Sequence, residues 1–191
     1  MPRITLPHPD TMTPEQRRVH DSIVSGPRGR IQGPLRAALH NPELAERWSA
    51  LGELLRYRTL LSRRQAELAI LVTGRASQSP FEWYAHRLEA EKAGIDAPTI
   101  DALLALEVPE GLDDTDTVIV QVAYELKRTH SISDATYARA LELLGERMLV
   151  ELTALVGYYT MVAMTLNAHE IPLPEGVTPA FPLPQHQQDG A

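Results

Sequence analysis

Residues Leu61–Ile95 read LSRRQAELAILVTGRASQSPFEWYAHRLEAEKAGI, and this stretch decides the fold. Ser62-Arg63-Arg64-Gln65 has the form of a capping box: a hydroxyl accepts from the N–H three residues on while the Gln side chain reaches back. A helix is therefore expected over Arg63–Thr73. Ser79-Pro80 opens a second helix, since proline is tolerated in a first turn. It should run to Ala93 and stop at Gly94, a residue suited to a helix C-terminal cap. The two helices carry three side chains capable of chemistry. Glu67 stands in an otherwise apolar run, Ala66–Val72, and Glu82 and His86 are four apart, hence on one helix face. Trp83, beside Glu82, could help exclude water.

The same signals recur on either side. Thr13-Pro14-Glu15-Gln16 combines an N-cap, a first-turn proline and a closing Gln, predicting a helix that stops by Gly26. Gly26-Pro27-Arg28-Gly29-Arg30 then reads as a loop, the most cationic of the chain. A short helix is expected over Pro34–Leu39. Asn41-Pro42-Glu43 starts another that reaches about Tyr57, with Leu44, Trp48, Leu51 and Leu55 at helical spacing. Later helices are expected at about Thr99–Leu106, Asp114–Thr129, Asp134–Leu144 and Glu146–Ala168, with Ser133 as a cap. Acidic Asp113, Asp114 and Asp116 suit a helix N-terminus, where the macrodipole favours negative charge. No stretch reads as a convincing strand or hairpin turn, so the fold class is all-α. The expected organisation is an irregular segment over 1–12, one helical domain over 13–170, and a Pro-rich tail over 171–191 that lies on the surface or on a neighbouring subunit.

With 191 residues the chain is large enough for one stable core without disulfide or metal support. It has no cysteine, which excludes disulfide scaffolds, thiolate-bound zinc and thiol catalysis. Eighteen basic residues face 25 acidic ones, a net charge of −7, and no basic block exceeds pairs such as Arg17-Arg18, so nucleic-acid binding is not expected. Met1–Pro9 lacks an apolar signal-peptide core, and a cytoplasmic location is expected. Met148–Leu166 is long and apolar enough to suggest a membrane span. Glu151, Thr153, Gly157, Thr160 and Thr165 interrupt it, so no membrane association is expected and the stretch reads as a central core helix or a subunit contact.

A carboxylate beside an imidazole, partly removed from water, is a plausible acid–base pair: burial raises a Glu pKa and a charged His lowers it. Glu67 could orient the imidazole or serve as the second carboxylate. Glu–His pairs at this spacing are also common on solvated helix faces, so spacing alone leaves a surface pair and a reaction centre both open. Glu67, Glu82 and His86 could in principle hold a divalent ion, but a single histidine without an HExxH-type pair argues against it, and no metal is expected. His8, His20, His130, His169 and His186 are scattered.

The block resembles the carboxymuconolactone decarboxylase family, within the alkylhydroperoxidase D-like superfamily. The family's helix R-E-x-x-I-L, its Y/F-E-W-x-x-H and its A-G-I/L end are matched by Ala66-Glu67-Leu68-Ala69-Ile70-Leu71, Phe81-Glu82-Trp83-Tyr84-Ala85-His86 and Ala93-Gly94-Ile95. Leu39-His40-Asn41-Pro42-Glu43-Leu44-Ala45 is similar to the family's LHSPELA. Ser133–Tyr137 and Glu151–Tyr159 match its C-terminal half, so the likeness covers roughly residues 20–170. One departure is decisive. The superfamily's peroxidase branch carries Cys-x-x-Cys-x-x-x-His, and its two cysteine places fall on Ser79 and Glu82 while its glutamate and histidine fall on Glu67 and His86. Peroxide reduction by a disulfide-forming pair is chemically impossible here.

The resemblance implies an alkylhydroperoxidase D-like helical domain assembling into a homotrimer or homohexamer. It also implies cofactor-independent decarboxylation, or related lactone and enolate chemistry, on a small anionic catabolite. Glu67, Glu82 and His86 are the expected catalytic residues, with His86 as the acid that protonates carbon. A substrate carboxylate calls for a cation, and an arginine fork pairs two oxygens best. Arg28, Arg30, Arg36, Arg75 and Arg87 are candidates, with His40 and Trp83 as further substrate contacts. A lactone hydrolase or isomerase using the same residues, and a non-catalytic oligomer that binds a small ligand or a partner protein, remain open alternatives.

Overall fold

The structure, a computed structural model, describes residues 2–26 and 29–182. A short 3-10 turn over Pro9–Thr11 precedes eight α-helices, and no strand occurs among the described residues. They are α1 (Pro14–Ser25), α2 (Pro34–Ala38), α3 (Pro42–Tyr57), α4 (Arg63–Ala76), α5 (Pro80–Lys92), α6 (Ala97–Leu104), α7 (Asp114–Thr129) and α8 (Asp134–Ala168). Local chemistry sets most of the boundaries. Thr13 and Ser62 form complete capping boxes with Gln16 and Gln65, while Asn41, Asp113 and Ser133 cap α3, α7 and α8. The helix expected from Thr99 begins at Ala97 instead, because Asp96 accepts from the Thr99 N–H and Pro98 fits the first turn. The break expected between Leu144 and Glu146 is present: Gly145 has φ 71° and interrupts α8.

The central helix is α4. Nine consecutive residues, Ala66–Gly74, are buried on every side, with α5, α7 and α8 packed around them. The sequence left Met148–Leu166 open as a central core helix or a subunit contact, and the structure gives the central place to α4. That half of α8 buries Leu152, Leu155, Tyr159, Val162 and Leu166 on one face and exposes Val150, Met161 and Met164 on the other. Of the described helices, α8 alone has the length and hydropathy of a membrane span.

After α8 the described part of the tail lies along its own chain. Ile171 is buried, and Phe181 packs edge-on against Trp83 and under the Arg75 guanidinium. The remaining tail residues, 183–191, lie outside the described residues.

Candidate active site

Glu67 projects from the middle of α4, where helical phase leaves it 1% exposed among apolar neighbours. Such a carboxylate needs partners, because a buried charge without them is strongly disfavoured. It has three. Arg63, one turn earlier, places Nε 3.4 Å from Oε1, and Arg56 of α3 places Nη2 3.9 Å from the same oxygen. The other oxygen, Oε2, lies 2.7 Å from Nδ1 of His86 on α5. With Glu67 as the carboxylate of these ion pairs, His86 Nδ1–H is the donor and Nε2 is the ring nitrogen left for a ligand. The ring of Tyr159, from α8, stands edge-on to the imidazole at 4.8 Å and fixes its other side.

Of the partners open to the imidazole in the sequence, Glu67 is the one that orients it, not Glu82. Glu82 and His86 share a helix face, yet the imidazole bonds to Glu67 across the helix interface. Glu82 is 2% exposed, and both of its carboxyl oxygens are buried without a hydrogen-bond partner. Burial pushes its pKa well above the usual carboxylate range, and Lys127 opposes that only partly. Burial thus favours the neutral, proton-bearing form of Glu82 over the carboxylate. Lys127 is half-buried and donates to the Thr160 hydroxyl at 3.0 Å. Glu82 fits because residue 74 is glycine: a Cβ there would lie 3.2 Å from Glu82 Cγ. Burial also raises the Tyr159 phenol well above its ordinary value, so its hydroxyl keeps its proton and can donate.

Glu82, His86 and Tyr159 together line a pocket of about 80 Å³, with Arg56, Phe81 and Leu166 among its other walls. It adjoins a more open cleft of about 300 Å³, and Arg56, Phe81 and His86 line both. The cleft also presents Arg30, Lys92, Tyr57 and Tyr84. Lys92 is already bonded to Glu89 at 2.9 Å, and Arg30 makes no ion pair with a described residue. An anion entering here meets Arg30 and Arg56 first.

Of the expected substrate contacts, Arg30 alone lines this cleft; Arg28 lies outside the described residues. Trp83 is 2% exposed and points into the core toward Phe181, so it cannot touch a ligand in the cleft. Exposed His40 sets Nε2 2.6 Å from the Thr5 carbonyl and ties down the N-terminal segment. Arg75 donates to the Leu104 carbonyl at 2.7 Å and covers Phe181. Arg36 lies in the last turn of α2 and lines neither space, and Arg87 pairs with Glu91. The residues that sequence reasoning missed are Arg56, Arg63 and Tyr159. A basic pair at the ends of α3 and α4 and a tyrosine within an apolar run gave no signal of their own.

No group of three or more His, Asp or Glu side chains among the described residues is arranged to hold a metal ion. Buried Ser79, at the N-cap of α5, lies one turn before Glu82, its hydroxyl also without a partner. The two cysteine places of the peroxidase branch are therefore an unpaired hydroxyl and an unpaired carboxylic acid.

The carboxymuconolactone decarboxylase family matches residues 42–125, which include Glu67, Glu82 and His86, and this supports the resemblance drawn from the sequence. Solved structures share the fold. An uncharacterized peroxidase-related protein from Silicibacter sp. TM1040 has a TM-score of 0.74 at 17% identity, over 90% of this chain and 91% of that one. A second uncharacterized peroxidase-related protein, described as an alkylhydroperoxidase AhpD core and from Ralstonia eutropha JMP134, gives 0.74 at 13% identity over 91% and 93%. The debrominase Bmp8, solved with 2,3,4-tribromopyrrole, gives 0.73 at 10% identity over 91% of each chain. No curated protein matches the chain in sequence.

Proposed function

We propose, from the family match over residues 42–125, that this chain is a cofactor-independent acid–base enzyme acting on a small carboxylic acid, in the first instance a decarboxylase of a carboxylated lactone or a β-keto acid. One observation carries the reading. The imidazole of a His–Glu dyad closed at 2.7 Å and a buried, unpaired carboxyl group face the same small pocket, beside an arginine. A carboxyl group that burial biases toward its neutral form and an imidazole held in one tautomer differ in the way acid–base catalysis requires.

In this reading Arg56, with Arg30 at the mouth, binds the carboxylate that stays on the substrate. The leaving carboxylate sits toward the apolar side of the pocket, where Val162 and Leu166 offer it no cation. Its C–C bond breaks, CO2 departs, and the electron pair passes into an enolate or dienolate. Tyr159 O–H donates to the developing oxyanion. The carbanionic carbon then takes the proton of Glu82, which regains one from solvent through His86. Glu82 therefore replaces His86 as the final acid, because it is the group that burial biases toward its protonated form. Glu67 positions His86 and takes no proton from substrate.

Isomerisation is the second reading, since a base and a neutral acid in one pocket can also move a proton between two carbons. The test is CO2 release from a panel of carboxylated lactones and β-keto acids, with wild type and His86→Ala side by side. Release that His86→Ala abolishes supports decarboxylation. Conversion without CO2 transfers the same residues to isomerisation or hydrolysis, and full activity in His86→Ala removes the dyad from the chemistry.

Assembly as a homotrimer or homohexamer belongs to this proposal. Exposed Leu51 and Leu54 on α3 and Val150 and Met164 on α8 are the apolar surface it would cover. Light scattering of the purified chain decides it.

A further inference from the structure

Phe81 has so far served only as a wall. On its other side lies a chamber of about 880 Å³, bounded by the last turns of α4 and α8, the start of α5 and the segment after α8. The volume is that of a small-molecule site. Its two charged residues, Arg3 and Glu170, pair with each other at 3.9 Å. The Asn167 amide is also occupied, donating to the Ser77 and Gln78 carbonyls at 2.9 and 3.3 Å. Besides the Ser77 hydroxyl and the Gln78 side chain, what remains is mainly apolar: Phe81, Leu166, Ile171, Leu173 and prolines.

Phe81 and Leu166 line both this chamber and the pocket that holds Glu82 and His86, and Phe81 also lines the outer cleft with Arg30 and Arg56. A single phenyl ring therefore borders all three spaces. Gly33 stands behind it. A Cβ at that position would lie 3.1 Å from Phe81 Cε1 and 3.8 Å from Leu166 Cδ2, and its φ of +57° is one that side chains rarely adopt. The glycine gives the ring the room it occupies.

We propose that Phe81 and Leu166 form the partition between the acid–base pocket and this chamber, and that the chamber receives the apolar chain of an amphipathic carboxylic acid whose carboxylate lies against Arg56. The ligand class follows from the two ends: a guanidinium where the cleft meets the pocket, and beyond the ring a space walled mainly by apolar side chains whose charged residues pair with each other. The inference rests on the carboxylate reading above and extends it from a small acid to one with a hydrocarbon chain.

The test is calorimetric titration of the full-length chain with straight-chain acids: acetate, butyrate, hexanoate, octanoate and decanoate. Once the chain reaches past Phe81, Kd should fall by a factor of about four for each buried methylene. Ala168 lines the chamber from an exposed position at the end of α8, so Ala168→Phe fills the space with little risk to folding. It should flatten the series and leave butyrate unchanged. Gly33→Ala, which displaces the ring, should alter hexanoate and longer acids and leave acetate unchanged. Arg56→Ala should weaken every member by one common factor. A wild-type series without chain-length dependence, or a dependence that Ala168→Phe does not touch, overturns the chamber proposal. If short acids still bind through Arg56 in that case, the carboxylate reading survives it. A chain-length dependence lost in Ala168→Phe, together with indifference to Arg56→Ala, would keep the chamber and discard the carboxylate contact.

Discussion

Substituting Glu82 by Gln and by Met separates two penalties that the wild-type side chain combines. The first is ionisation. The folded-state pKa lies well above the reference value of 4.5, so between those two values the unfolded chain has released a proton that the folded chain still holds. Fewer protons bound in the unfolded state means that stability falls as pH rises through this window, by up to about 1.4 kcal/mol per pH unit for one group. Gln cannot ionise. The difference in unfolding free energy between Glu82→Gln and wild type should be near zero at pH 4.5 and grow in favour of the variant above it. Reading a difference cancels the other titrating groups. The second penalty is two buried oxygens without partners. Gln retains an unpaired amide, whereas Met fills a similar volume with none, so Glu82→Met should add about 1–3 kcal/mol at every pH. In a chain of this size each kcal/mol moves Tm by roughly 2–4 °C. The assay is urea denaturation followed by circular dichroism from pH 4.5 to 8, with activity measured in parallel and expected to vanish in both variants. A Gln-minus-wild-type difference that stays flat over that range would refute the neutral-acid argument, and a Met variant less stable than wild type at pH 4.5 would refute the unpaired-oxygen argument.

Glu67→Gln replaces a charge-assisted bond to His86 with a neutral one, worth about 1–2 kcal/mol, so kcat/KM should drop about 5- to 30-fold. Glu46→Gln, which removes only the exposed partner of Arg18, should leave it unchanged in the same steady-state assay. Gly74→Ala gains about 1 kcal/mol of helix propensity but presses on Glu82, at a typical cost of about 1–3 kcal/mol. It should destabilise the wild type and stabilise a Glu82→Ala background, a reversal that a double-mutant cycle by denaturation detects. Ser62→Ala removes the capping-box hydroxyl of α4 and should lower stability by about 1 kcal/mol in the same experiment.

The helices were legible because their ends carry local chemistry: Thr13, Ser62, Asn41 and Ser133 each bond a backbone N–H three residues on, and a sequence displays that spacing directly. Asp96-Ala97-Pro98 obeys the same rule and starts α6 two residues before the Thr99 expected from the sequence. Glu67, Glu82 and His86 could be named from the motif, but spacing left open whether Glu67 or Glu82 holds the imidazole. Glu82 and His86 sit on one face, yet the imidazole takes Glu67 of α4 as its partner and Glu82 is left with none. Contacts between helices have no periodic signature, so Arg56 and Tyr159 were invisible, and apolarity alone left Met148–Leu166 open as a core helix or a subunit contact. Arg75 and His40 illustrate the converse. Each is a cationic or imidazole side chain beside a family-like motif, and each is spent on a backbone carbonyl that holds two segments together.

The glycine break in α8 divides one long helix into two pieces of very different anchorage. Before Gly145 only Ala140 and Leu144 are buried, whereas after it nine residues are, from Leu149 to Leu166. The interruption at φ 71° means that fraying of the first piece need not propagate across the break into the second. The amides of Asp134–Leu144 should thus exchange with solvent deuterium through local opening, while those flanking Tyr159 should exchange only when the whole domain unfolds. The backbone that carries the tyrosine beside His86 is insulated from motion at the molecule's edge.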